Sequence, residues 1–191
     1  MNLPTRLTLL RIALIPGIVA LFHLPWPWPW SAPLCAGLFI LAGLTDGLDG
    51  YLARRLGQTT ALGAFLDPVA DKLLVCAVLV ILVGQDGRLW LVLPSVILIS
   101  REIAISALRE WMAGQGRSAQ IAVSSLGKLK TVAQMLALTL LLAFAEQPTG
   151  LGYQAGLATL LLAALLASLS FWQYWRAALG ATLTGSPSRK K

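Results

Sequence analysis

"TDGLDGYLARRLGQTTALGAFLDPVADK", Thr45 to Lys72, sets four carboxylates, Asp46, Asp49, Asp67 and Asp71, in the middle of a very apolar chain. The 191 residues contain only eight acidic side chains, so half of them fall in this stretch. On a helix ending near Leu56, Asp46, Asp49, Gly50 and Ala53 follow i, i+3, i+4, i+7 spacing and share one face. On the next helix Gly63, Asp67 and Asp71 follow i, i+4, i+8 and do the same. That helix is expected to begin around Ala64 to Pro68, with the proline in the first turn, where its missing N–H costs nothing. Two adjacent antiparallel helices would then turn four carboxylates toward one another at a single depth.

The rest of the chain says what surrounds them. Hydrophobic residues make up 57% and charged residues 12%, against roughly 25% charged in a soluble domain. Mean hydropathy is +0.75. Apolar segments run near residues 7–24, 31–56, 66–84, 89–110, 123–145 and 152–177, each close to the ~20 residues that cross a ~30 Å hydrocarbon layer. The expectation is an all-α integral membrane protein with six transmembrane helices. One membrane domain covers residues 1–180, and a mobile basic tail covers 181–191.

The net charge of +7 is distributed asymmetrically. Arg6, Arg11, Arg54, Arg55, Arg109, Arg117, Lys128, Lys130, Arg176, Arg189, Lys190 and Lys191 flank alternate segment ends. On the other side "PWPWPWS", "GQDGR" and "EQPTG" hold a single cation, Arg88. The positive-inside rule puts both termini and the basic loops in the cytoplasm. No soluble basic surface remains for nucleic acid, so that class is excluded. Trp26, Trp28 and Trp30 read as an aromatic belt at the outer interface, with His23 beside it. Cys35 and Cys76 fall in separate spans with no ligand spacing and read as small buried hydrophobes. Arg6 and Arg11 before an apolar run look like a signal peptide, but an uncleaved first span is the better reading. In "SAPLCAG", Leu34 is too large for a lipoprotein box.

An aspartate at the centre of a membrane helix costs about 2.5–3.5 kcal/mol, and four together also repel one another. Protonation, or ion pairs to Arg54, Arg55 or Lys72, would relieve the charge. Neither explains why the carboxylates share their faces with small residues. A pair of hard divalent cations does, because such ions take oxygen ligands and Gly50, Ala53 and Gly63 leave room for a ligand. Beyond Lys72 the third segment continues as "LLVCAVLVILV", which seals the outer half and argues against an ion pathway.

Asp46, Asp49, Gly50, Ala53, Arg54, Gly63, Asp67 and Asp71 spell D-x2-D-G-x2-A-R-x8-G-x3-D-x3-D. This resembles the signature of the CDP-alcohol phosphatidyltransferases at every position. "NLPTRLTLLRIALIP", "FLDPVADKLLV", "ISREIAISALREWMA" and "SSLGKLKTVAQM" resemble the bacterial branch of that family that uses glycerol 3-phosphate. The resemblance implies a six-helix enzyme of the bacterial inner membrane, usually homodimeric, with a polar active-site cavity facing the cytoplasm. It implies two ions, Mg²⁺ or Mn²⁺, held by Asp46, Asp49, Asp67 and Asp71. The pyrophosphate of CDP-diacylglycerol would bridge those ions, its cytidine over Gly50, Ala53 and Gly63 and its phosphate against Arg54. The acceptor hydroxyl would displace CMP, with Asp71 as general base. A free aspartate near pKa ~3.9 is a weak base for an alcohol, so Asp71 reads equally as base, metal ligand or both.

An anionic acceptor needs cations of its own. Arg101, Arg109 and Lys128 converge beside the acidic cluster and suit glycerol phosphate. For Arg101 the alternative is pairing with Glu102 or Glu110, or snorkelling to headgroups. Lys130 and Arg117 are expected at headgroups. Thr8 and Arg11 fit either the cavity wall or an interfacial anchor. Phosphatidylglycerol or inositol phosphate as acceptor would keep the same chemistry, whereas serine would leave the three cations without a shared purpose.

Overall fold

The computed structural model describes residues 3–23, 30–56, 61–115 and 125–184, with side chains undescribed at 3–7, 46–56, 61, 62, 64, 125, 126, 177, 178 and 180–184. Trp26, Trp28, Arg117 and the tail 185–191 lie outside the described residues, as do the side chains of Asp46, Asp49, Gly50, Ala53 and Arg54. The described residues form six helices and no strand: α1 Leu3–His23, α2 Ser31–Leu56, α3 Ala61–Gln85, α4 Leu89–Gly114, α5 Ser125–Ala143 and α6 Leu151–Thr184. Each overlaps one of the six apolar segments.

The start of α3 differs from expectation. It begins at Ala61, so Pro68 is its eighth residue and lies inside the helix rather than in the first turn. Ala61, Leu62 and Ala64 are good helix formers that extend the helix backward past the apolar run. Pro68 then withholds the N–H that the Ala64 carbonyl would accept one turn earlier.

The packing also revises the expected neighbours. α1 lies against both α2 and α3, which touch each other only sparsely. The acidic helices are therefore bridged by α1, and its residues enter the site. α5 and α6 form the most extensive pair, α4 packs on α6, and α2 on α5. Two glycines on α6 permit the α5–α6 approach. A Cβ at Gly152 would stand 2.4 Å from Phe144, and one at Gly156 would stand 2.9 Å from Leu141. Small residues four apart let helix backbones meet closely, as they do in membrane helix pairs.

Phe39, Leu79, Leu82, Leu98, Leu138 and Leu160 are fully buried in the core between the helices. The outer surface is also apolar, with Leu44, Phe65, Val80, Leu89, Trp90, Ile103 and Leu165 all exposed. Such a surface suits hydrocarbon rather than water. Among the described residues two stretches, Leu89–Gly114 and Leu151–Arg176, are long and apolar enough to span a membrane, with shorter apolar runs at Thr8–His23 and Ser31–Thr45.

A polar clamp closes the end remote from the acidic cluster. Arg88 donates through Nε and Nη2 to Asp86 at 2.8 and 2.7 Å, and the Tyr153 hydroxyl donates to Asp86 at 2.6 Å. The guanidinium also sits 5.7 Å from the Tyr153 ring centroid. These donors hold the Asp86 carboxyl down at about 2, Arg88 being the largest influence.

Candidate active site

α3 carries two carboxylates one turn apart. Asp67 accepts a hydrogen bond from the Thr8 hydroxyl of α1, Oγ1 to Oδ1, at 2.5 Å. Thr8 and Arg11 are 0% and 1% exposed. The interfacial-anchor reading of both therefore falls: α1 turns them inward because it is wedged against α2 and α3. Gly63 is buried one turn before Asp67. Asp71 is exposed, and it opens onto a cavity of about 240 Å³.

That cavity is lined by Asp71 and Lys72 from α3, Arg101, Glu102 and Arg109 from α4, Lys130, Thr131 and Gln134 from α5, and Tyr174 from α6. Glu102, Ser106 and Arg109 follow i, i+4, i+7 along α4 and share a face. Glu102 Oε1 accepts from Arg101 Nη1 at 3.1 Å and from Lys130 Nζ. Arg101 Nη2 also reaches Ser170 Oγ on α6 at 3.3 Å. Lys72 donates to Ser106 Oγ, whose own hydroxyl donates to the Glu102 carbonyl at 2.7 Å. Four helices are thereby cross-linked around the polar space, and of the cations lining it Lys72, Arg101 and Lys130 are each held by a named partner.

The pairing of Arg101 with Glu102, the alternative weighed for it, is present, yet Arg101 still lines the cavity. Arg109 lines it too, as an exposed side chain. Lys128 is exposed and does not line the cavity. Lys130, expected at headgroups, is instead 4% exposed and ion-paired inside. The two lysines are two residues apart, about 200° around a helix, so only one of them can face inward. Glu102 as a bridge between cations, Ser106, Gln134 and Tyr174 were not singled out from sequence. The spacing of Glu102, Ser106 and Arg109 was the signal that could have found the first two.

Among the described residues no group of three metal-ligating side chains gathers; the side chains of Asp46 and Asp49 are not described. The residues present nevertheless suit a hard cation. Thr8 occupies one oxygen of Asp67 and fixes the carboxylate, so that Oδ2 would be open to a cation. Asp71 presents oxygen to the polar cavity one turn away, and positions 46 and 49 sit one turn apart on helical backbone in α2. All-oxygen, carboxylate-rich donors match Mg²⁺ or Mn²⁺.

A family model described as CDP-alcohol phosphatidyltransferase matches residues 1–181. The chain is 50% identical over 179 residues to a protein of Sodalis glossinidius (strain morsitans), covering 93% of this chain and 95% of that one. It is 51% identical over 177 residues to one of Pectobacterium atrosepticum, covering 93% and 94%. It is 49% identical over 183 residues to one of Haemophilus influenzae, covering 95% and 96%. All three relatives are named CDP-diacylglycerol–glycerol-3-phosphate 3-phosphatidyltransferase.

Proposed function

The chain belongs to the CDP-alcohol phosphatidyltransferase family, and from that premise we propose that it makes phosphatidylglycerol phosphate. It transfers the phosphatidyl group of CDP-diacylglycerol to the C1 hydroxyl of glycerol 3-phosphate and releases CMP. The carrying observation is identity near one half, across more than nine tenths of the chain, to relatives named for this reaction. The cavity adds chemical support, since it sets a carboxylate, Asp71, among Lys72, Arg101, Arg109 and Lys130.

Asp46, Asp49, Asp67 and Asp71 would hold two divalent cations, Mg²⁺ or Mn²⁺, which supply charge neutralisation at the donor's pyrophosphate. Thr8 keeps Asp67 in one orientation. Gly50, Ala53 and Gly63 leave space for the cytidine, and Arg54 holds donor phosphate. Arg101 and Arg109 grip the acceptor's phosphate, with Lys130 inside and Lys128 outside the cavity adding positive charge. The acceptor's C1 oxygen forms a bond to the phosphorus bearing diacylglycerol as the bond to CMP breaks. The C1 proton passes to Asp71. Rate enhancement comes chiefly from positioning and from neutralised phosphate charge.

Six spans, with both termini and the cavity on the cytoplasmic side of a bacterial inner membrane, fit the basic loops and the apolar outer surface. A homodimer completes the reading. The direct test is lipid-product identification after incubating purified protein with CDP-diacylglycerol, Mg²⁺ and labelled glycerol 3-phosphate. Label in a phosphatidylglycerol phosphate band is expected; label left wholly in the aqueous phase refutes the assignment.

A further inference from the structure

Gln134 is 3% exposed on α5, one turn beyond Lys130, and it lines the same cavity as Asp71 and Arg101. Its carbonyl oxygen is buried and has no hydrogen-bond partner among the described residues. A buried acceptor left unmatched costs about 1–3 kcal/mol, and replacement by an apolar side chain would remove that cost. Its neighbour Thr131 offers it no donor, because the Thr131 hydroxyl donates to the Gly127 carbonyl at 3.0 Å. The amide torsion is soft, so the carbonyl can turn toward whatever fills the cavity.

This inference rests on the proposed acceptor, glycerol 3-phosphate, whose polar groups can be assigned one at a time. The C3 phosphate belongs to the cations of α4 and α5. The C1 hydroxyl gives its proton to Asp71. The C2 hydroxyl, between them, is the one donor without a partner, and among the described residues Gln134 Oε1 is the one buried side-chain acceptor without a partner. We infer that Gln134 is a specificity-determining residue that accepts a hydrogen bond from the C2 hydroxyl of the acceptor. A site built to bond a substrate hydroxyl rejects the analogue that lacks it, because its own polar group is then stranded.

The experiment compares glycerol 3-phosphate with 3-hydroxypropyl phosphate, which lacks only the C2 hydroxyl, in the wild type and in Gln134→Leu. Wild type is expected to favour glycerol 3-phosphate by about 10- to 100-fold in kcat/KM. Gln134→Leu should lose that preference, falling on glycerol 3-phosphate while staying within about threefold on the analogue. Its melting temperature in detergent should match or exceed wild type, since no internal bond is lost. Equal loss on both acceptors, or a wild type that does not distinguish them, overturns the inference while leaving the proposed reaction standing. A wild type that turns over neither acceptor overturns the proposed reaction and this inference together.

Discussion

The hydroxyl that Thr8 donates to Asp67 occupies one carboxylate oxygen, leaving the other open to the proposed cation. Partners behind a metal ligand usually matter by 10–100-fold. Thr8→Val should therefore lower activity by about that factor and raise the Mg²⁺ concentration for half-maximal rate; a metal titration reads both. A variant with an unchanged titration would mean that Asp67 needs no such support. Glu102 has a different task, holding Arg101 and buried Lys130 together. Removing one partner of a buried ion pair strands the rest. Glu102→Gln is expected to lose about 3 kcal/mol of stability, visible as a lower melting temperature in detergent. The aspartates were legible in the sequence because carboxylates in an apolar run are conspicuous. Lys130 was not legible: Leu129, Val132 and Leu136 on the other side of α5 are exposed apolar residues, so hydrophobicity marks no buried face.

α5 and α6 meet closely because Gly156 has no side chain where Leu141 presses in. Gly156→Leu should separate the pair and cost about 2 kcal/mol through overpacking, with a matching fall in melting temperature; an unchanged melting curve would show that the contact yields freely. The loop joining α3 to α4 is held to α6 by Asp86. Its carboxyl sits at about 2 in the folded chain, below the ~3.9 of an unfolded aspartate. A lowered pKa contributes stability that is complete above about pH 4 and lost as pH falls through 2. Asp86→Asn should therefore melt about 2–4 °C lower at pH 7, and the gap should close toward pH 2. A gap of the same size at both pH values would rule out the charged form as its source. The six helices could be read from apolar run lengths. The start of α3 could not, because Ala61 and Leu62 belong to a stretch whose helix is set by local propensity rather than by membrane depth.

Among the described residues Asp71, Arg101, Arg109 and Lys130 line a cavity at one end, and Asp86, Arg88 and Tyr153 line one at the other. From Asp71 to Asp86 along α3 is roughly 22 Å at 1.5 Å per residue, and the intervening core residues Leu74, Val78, Leu79 and Leu82 are fully buried or nearly so. That arrangement suits an enzyme working at one membrane face, and among the described residues no polar path for ions runs along α3 between the two ends. The position of α1 between α2 and α3 was hidden from sequence. Connection lengths show which helices are joined, but not which third helix comes between them. The decisive experiment measures CMP release by purified protein with CDP-diacylglycerol and Mg²⁺, offering glycerol 3-phosphate, phosphatidylglycerol, inositol phosphate or serine in turn. Metal-dependent release with glycerol 3-phosphate alone, reduced at least about 10³-fold in Asp71→Asn, is the predicted result. Release driven by a different acceptor, or equal release from the Asp71→Asn protein, would contradict it.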